Sequence, residues 1–324
     1  MSEPHLSAPP MTVVVTGAAG FLPSHVVDLI LDRGDSVIGI DNLVTGRLAN
    51  LAHVAHHPRF TFINHDATQP LTVDGHVDAV LHMASPASPK DFDRLPFEIM
   101  AVNSIGTANA LNLALSHNAR FVLASTSEVY GDPLVHPQPE SYRGNVSTTG
   151  PRSPYDESKR FAETLAFMFR RQHGLDARVV RTFNTYGPRM RLDDGRVVPN
   201  FIGQALANIP LTVYGDGSQT RSLCYVADQA AGYVAVLDAD HLDAPVNIGN
   251  DHELSMKELA NEVIQLTGSS SSIEFKPLPT DDPTQRNPEL TRAKSLGWQP
   301  TTSFRDGIGT TIEYFRAELA KQCT

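Results

Sequence analysis

An α/β fold built on a doubly wound parallel sheet, joined to a smaller, mixed C-terminal lobe, is the architecture this sequence predicts. Three observations predict it. Short β-branched and apolar runs alternate with helix-length stretches through residues 11–182, the rhythm of parallel strands linked by crossover helices. A glycine-bearing turn, Gly17 to Gly20, joins the first strand directly to the first helix. Beyond residue 182 the alternation becomes irregular and is broken by Pro/Gly joints, which sets 183–324 apart as mainly a second lobe, with some late elements returning to the main sheet.

Met11 to Thr16 is β-branched and reads as a strand, and Phe21 to Arg33 carries apolar residues at helical spacing. Ser36 to Ile40, Phe60 to Ile63, Ala79 to His82 and Phe121 to Ala124 repeat the strand signal. Glu98 to His117 and Pro154 to His173 read as helices, and Val179 to Thr182 as a further strand. The joints lie at Gly187 to Pro188, Gly215 to Gly217 and Pro277 to Pro283, while Ser269 to Ser272 reads as a loop.

The chain has 324 residues, 41% apolar and 19% charged, enough to bury a full core. A net charge of −10 opposes a general nucleic-acid or anionic-membrane surface, so an anionic ligand requires locally placed arginines. Cys224 and Cys323 are the only cysteines, which gives no disulfide framework and fits a reducing cytoplasm. The first ten residues lack a basic segment followed by an apolar run, and no stretch reaches membrane-span length, so neither signal peptide nor anchor is expected. His53, His56 and His57 fit one helix face, but no acidic or cysteine partner completes a metal set, and no metal is expected.

In TGAAGFLPS, Gly17 and Gly20 stand between strand and helix, where missing side chains let backbone N–H groups and the positive helix end approach a pyrophosphate. This is the Rossmann-type arrangement. Its third expected glycine is Pro23, tolerable in a first helical turn because the N–H it removes has no intrahelical acceptor. Asp41 closes the second strand, at the distance where an acidic side chain meets the adenosine ribose and repels a 2′-phosphate, which favours NAD over NADP. An aspartate followed by asparagine also suits a turn or helix cap.

Tyr155 and Lys159 stand four apart in SPYDESK and share a helix face. A neighbouring lysine is expected to lower the phenol pKa, making a base that takes a hydroxyl proton while carbon gives hydride to NAD. Thr126, Ser127 and Glu128 lie at a parallel strand's carboxyl end, where open sheets bind ligands, and Thr126 is within reach of Tyr155 and a reacting hydroxyl. Without the tyrosine and lysine such a Ser/Thr cluster is ordinary turn chemistry.

The segments MASPAS, ASTSEVYGDP, SPYDESKR, FNTYGPRMRLDDGRVVPNF, PLTVYGDGSQTRS and DDPTQRNPEL, in this order, resemble the UDP-glucuronate decarboxylases of the extended short-chain dehydrogenase/reductase superfamily. The resemblance runs from about Thr12 to Phe315. Sugar 4,6-dehydratases are similar at the strand end but carry aspartate where Ser127 stands. The resemblance implies redox chemistry by Thr126, Tyr155 and Lys159, with Ser127, Glu128 and Arg286 around the sugar carboxylate. It implies nucleotide and phosphate contacts from Asn184, Arg196, Tyr214 and Arg221. For NAD it implies Gly17, Gly20, Phe21, Leu22, Asp41, Asn42, Thr45, Gly46, Asp66, Ala67, Met83 and Ser85 besides Tyr155 and Lys159. The two regions are then mainly an NAD-binding domain, 11–182, and a substrate-binding lobe, 183–324. Two departures touch the substrate side: Ala101-Val102 precede Asn103 where the family carries a lysine, and Phe92 replaces a tyrosine. An arginine among prolines, such as Arg286, is more often a solvated loop charge when read without the family.

The implied reaction oxidises C4 of UDP-glucuronate, loses CO2 from the resulting β-keto acid, protonates C5 and returns hydride to C4, giving UDP-xylose. A UDP-sugar 4-epimerase uses the same Tyr155, Lys159 and NAD without releasing CO2. A non-catalytic NAD-binding sensor has no need of that pair. The helices at Glu98 to His117 and after Pro154 are apolar on more than one face, and the resemblance implies a homodimer through them.

Overall fold

The structure is a computed structural model, and it describes residues 9–277 and 285–322. Cys323, most of the Pro277 to Pro283 joint and the first four residues of DDPTQR lie outside the described residues.

The main sheet has seven parallel strands: β1 (Thr12–Thr16), β2 (Ser36–Asp41), β3 (Phe60–Asn64), β4 (Ala79–His82), β5 (Arg120–Thr126), β6 (Ala177–Thr182) and, much later in the chain, β11 (Val246–Ile248). Their order across the sheet is β11-β6-β5-β4-β1-β2-β3. Val13, Val14 and Val15 are fully buried, as expected for a central strand covered on both faces. At about 25 cal/mol per Å² each such valine stabilises the fold by about 1.5–2 kcal/mol. Pairing of Thr16 with Ile40 and His82, and of Thr126 with Thr182, aligns the carboxyl ends into one rim.

On one face α1 (Phe21–Asp32) packs its Val26, Val27 and Ile30 into a core shared with Tyr233 and Val236 of α7 (Val226–Asp238). The other face is covered by α4 (Thr107–Ser116) and α5 (Ser153–His173), through Leu111, Ala114, Ala162 and Ala166. A separate apolar cluster joins α6 (Val197–Leu206), α8 (Met256–Thr267) and α10 (Phe304–Gln322). Beside it lie four small strand elements, β7 (Thr185–Tyr186), β8 (Leu211–Tyr214), β9 (Thr220–Ser222) and β10 (Cys224–Tyr225). Further on, β12 (Glu253–Ser255) pairs with β9, β13 (Ile273–Lys276) pairs with β8, and α9 is Thr291–Ser295.

Three sequence expectations need correction. The helix expected over Glu98 to His117 is interrupted: α2 (Pro89–Arg94) and α3 (Pro96–Ala101) precede a π turn over Val102–Gly106, and α4 follows. Side-chain hydroxyls compete for carbonyls there, Ser104 donating to Met100 O (2.6 Å) and Thr107 to Asn103 O (2.8 Å), and Asn103 is drawn to Ser158 (3.0 Å). The strand expected over Phe121 to Ala124 runs from Arg120 to Thr126, because partners on both sides order its ends. His53 and His56 lie in turns after a short 3₁₀ helix, Leu48–Leu51, and His57 in the irregular chain that follows, so the three do not share a helix face. Among the described residues no group of three acidic, histidine or cysteine side chains forms a metal site, and no helix is long and apolar enough to cross a membrane.

Candidate active site

The glycine turn opens the site. Gly17 has φ +73°, and a Cβ there would lie 2.7 Å from Ala84 Cα, so side chains are excluded by both conformation and space. Gly20 precedes α1 with no side-chain cap, which leaves the helix N-terminus facing a cavity of about 840 Å³. Pro23 sits in the first turn without interrupting the helix. Asp41 lines the same cavity and also accepts from Leu43 N (2.7 Å) and Ala19 N (3.0 Å), so the turn role the sequence left open is realised in the fold. Burial raises its pKa, and those two N–H groups oppose the rise.

Asn42 bonds Asp66 (3.2 Å) across the ends of β2 and β3. The N–H groups of Met83 and Ala84 donate to Thr16 Oγ1 (3.2 and 3.3 Å), which sends the Thr16 proton toward His82 Nδ1 (2.9 Å). His82 is thereby fixed with its proton on Nε2, facing Val102 O at 3.4 Å in the π turn. Burial first, then the charge of Lys159, push its pKa down to about 3.

Thr126 ends β5, and Tyr155 and Lys159 face it from the first turns of α5. Tyr155 is buried, bonds Thr126 through its phenol, and stacks on Phe92 with ring centroids 4.8 Å apart. Its pKa is pushed up to about 12: burial dominates, the Thr126 bond and Arg196 lower it, and Glu128 and Asp156 raise it. Lys159 donates to Ala124 O (2.8 Å), with Nζ 5.8 Å from the Tyr155 ring centroid, and burial brings its pKa down to about 7 against the pull of Glu163. Burial of the phenol, which the sequence reading did not weigh, is the largest influence on Tyr155, and Lys159 Nζ is directed to the Ala124 carbonyl.

A charged cluster adjoins the base. Thr126 Oγ1 accepts from Glu128 N (3.2 Å) and so caps the 3₁₀ turn Ser127–Tyr130. The Glu128 carboxylate takes Arg152 Nη2 at 2.6 Å, Arg286 Nη2 at 2.8 Å, and Arg286 Nη1 as well. Burial alone would raise its pKa, but Arg286 and Arg152 outweigh burial and hold the carboxyl far below the usual range. Arg286 is 3% exposed and also bonds Gly131 O (3.1 Å), so it is no solvated loop charge. Ser127 is buried beside the cluster. Arg152, three residues before Tyr155, escaped the sequence reading; its only signal was a cation just ahead of the SPY turn.

The same cavity is also lined by Asn184, Arg196, Tyr214 and Arg221. Arg196 is tied to Ala87 O in the MASPAS loop and lies 3.6 Å from Asp194, while Tyr214 is 44% exposed. Every residue the sequence nominated lines this one cavity, including Phe21, Leu22, Thr45, Gly46, Ala67 and Ser85. So do Arg47, Arg189 and Arg191, which it did not nominate.

Residues 13–249 match the model of the NAD dependent epimerase/dehydratase family. The chain is 50% identical over 313 residues to UDP-glucuronic acid decarboxylase 1 of Arabidopsis thaliana, covering 96% of this chain and 71% of that one. It is 47% identical over 311 residues to UDP-glucuronic acid decarboxylase 1 of Xenopus tropicalis, covering 96% and 73%. Among solved structures it resembles a UDP-glucose 4-epimerase with UDP-glucose from Thermotoga maritima, with TM-score 0.86, 29% identity and coverage of 95% and 100%. It also resembles a UDP-glucuronic acid 4-epimerase from Bacillus cereus in complex with UDP-glucuronic acid and NAD, with TM-score 0.85, 27% identity and coverage of 95% and 100%.

Proposed function

The chain belongs to the NAD dependent epimerase/dehydratase family and, within it, to the UDP-glucuronic acid decarboxylases, and from this premise we propose how its residues share the work. It is an NAD-dependent enzyme that converts UDP-glucuronate to UDP-xylose. The observation that carries the assignment of roles is the meeting of two groups in one cavity: Thr126, Tyr155 and Lys159 beside the Glu128–Arg152–Arg286 cluster.

The residues present fit the dinucleotide: Gly17 and Gly20 leave room at the α1 N-terminus, Asp41 closes β2, and Arg189 Nη1 is buried without a protein partner. When bound, NAD supplies the hydride acceptor, a positive ring that favours the Tyr155 phenolate, and then the hydride donor. Tyr155 takes the proton of the C4 hydroxyl, with Thr126 bonding the same oxygen and Lys159 on the shared helix face. The C4 ketone makes the C6 carboxylate a β-keto acid, and CO2 leaves with its bonding electrons passing into an enolate. Tyr155, now protonated, and Thr126 donate to that enolate oxygen.

Arg152 and Arg286 meet the carboxylate end. Because Glu128 neutralises one of their two positive charges, the cluster offers the substrate a net +1. It holds the carboxylate without gripping it hard enough to oppose its departure. The C5 proton comes from water, with the Ser127 hydroxyl beside Thr126 as its relay, while Glu128, held ionised by Arg152 and Arg286, orients the two arginines and does not itself give a proton. Asn184, Arg196, Tyr214 and Arg221 take the UDP moiety, which makes residues 183–324 mainly substrate-binding and 11–182 mainly NAD-binding.

A homodimer is part of the proposal: Phe97, Met100, Ile105, Phe161 and Met168 are exposed apolar side chains on α3, the π turn and α5. A cytoplasmic setting is supported by the cysteine count. The deciding experiment incubates the purified protein with UDP-glucuronate and identifies the product by mass and NMR. UDP-xylose with CO2 is expected; UDP-galacturonate without CO2 would replace the decarboxylase by an epimerase, and bound NAD without turnover would leave a sensor.

A further inference from the structure

A stretch of chain from Gly187 to Arg196 crosses the cavity and is pinned to the main-sheet half on both sides. On the glycine-turn side, His25 Nε2 donates to Pro188 O (3.0 Å) and Arg47 Nη2 to Arg189 O (3.3 Å). There too Arg189 Nη2 pairs with Asp28 Oδ2 of α1 at 2.7 Å. His53 completes a triangle, 2.7 Å from Asp28 Oδ1 and 3.3 Å from Arg189 Nη2. On the far side Ser88 donates to Asp194 O, and Arg191 pairs with Asp91 at 3.0 Å. Between these anchors Arg189, Met190, Arg191 and Gly195 line the same cavity as Gly17, Gly20 and Leu22.

Arg189 is the stressed point of this strap. Its φ is +69°, a left-handed conformation that a residue with a Cβ keeps only when its surroundings hold it. The Asp28 pair is a fixed holding contact, since the two side chains are only 23% and 19% exposed. His25 is kept neutral by burial, so its bond to Pro188 carries no charge. No role in proton or hydride transfer falls to Asp28 or His53, neither of which lines the cavity.

We propose that Asp28 and Arg189 form the clasp of a strap that closes over the bound dinucleotide and keeps NAD in place between turnovers. Strain at Arg189 would favour lifting of the strap once Asp28 no longer holds it. The inference rests on NAD being the cofactor and not on which sugar is processed. A resident cofactor suits a reaction that returns its hydride to the same sugar, because NAD has no reason to leave.

The test loads the purified enzyme with NADH, chases with excess NAD, and follows loss of bound-NADH fluorescence. Asp28→Asn keeps the shape and removes the charge, and NADH should leave about 10- to 100-fold faster, the range for losing a charge-assisted bond. Turnover of Asp28→Asn with saturating added NAD should stay within about twofold of the parent, because no reacting atom is touched. Asp238→Asn breaks another α1-side pair, with Arg33 (2.8 Å), and should leave NADH release unchanged. If Asp28→Asn does not fold, Asp28→Ser removes the same pair from the α1 side, again without altering a residue that lines the cavity, and is read in the same way. Parental release from the clasp variant, or equal acceleration by Asp238→Asn, would overturn the clasp while leaving NAD as cofactor. A parent that binds no NADH would overturn both.

Discussion

Arg286→Ala and Glu128→Gln each break the buried pair beside Tyr155, and the structure sets the size of the effect. The Glu128 side chain is 13% exposed and the Arg286 side chain 4%, so removing either leaves a charge with little water to replace its partner. Breaking a buried pair costs about 3–5 kcal/mol, and because Arg152 remains on Glu128 at 2.6 Å the low end, about 3 kcal/mol, is expected for Arg286→Ala. With an unfolding entropy of about 2 cal/mol/K per residue, that is a fall in Tm of about 4–5 °C for a chain of 324 residues. The double variant should lose less than the two singles together, by about 1–3 kcal/mol, since neither charge is then left alone.

The pH dependence has a definite sign. The folded-state pKa of Glu128 lies below the unfolded value of 4.5, so the stabilisation is present above that pH and is lost as the pH falls through the acid range. In the reaction, both variants should still form NADH on mixing with UDP-glucuronate while CO2 release or C5 protonation stalls, read by single-turnover absorbance at saturating substrate. Additive losses below about 1 kcal/mol would show that the pair is not coupled, and CO2 release at the parental rate in both would remove them from the decarboxylation step.

Other expectations are as direct. Tyr155→Phe should keep the fold and NAD but lose about 10²- to 10⁴-fold in C4 oxidation, and near-normal turnover would assign the base elsewhere. Asp41→Ala should weaken NAD binding and narrow its preference over NADP, with part of the loss arising from the freed Ala19 and Leu43 N–H groups; equal affinity of the parent for both cofactors would refute the ribose role. Lys159 is pulled from 10.5 down to about 7 by burial, so the unfolded chain holds more protons between those values and stability rises with pH across that window. Lys159→Met should therefore raise the Tm at neutral pH and flatten the rise toward pH 10, and thermal melts showing an unchanged slope would contradict the buried-charge account.

Local patterns carried much of this protein into view. Gly17 and Gly20 are legible because a tight strand-to-helix turn needs residues without side chains, and Tyr155 and Lys159 because a four-residue spacing fixes a helix face wherever the helix packs. The β-branched runs located the first six strands of the sheet for the same reason: period and propensity are properties of neighbouring residues. The π turn at Val102–Gly106 was not legible, since it arises when Ser104 and Thr107 take carbonyls from the helix ladder and Ser158 on another helix draws in Asn103. Nor was the pairing of Arg286 with Glu128, 158 residues apart, or the entry of Arg152 as third member. Short-range order needs only the chain's own geometry, whereas desolvation and long-range charge pairing exist only after distant segments meet. That is why the sequence could name Tyr155 as the base while its pKa near 12, and the lysine that turns to the Ala124 carbonyl, were decided by the packed structure.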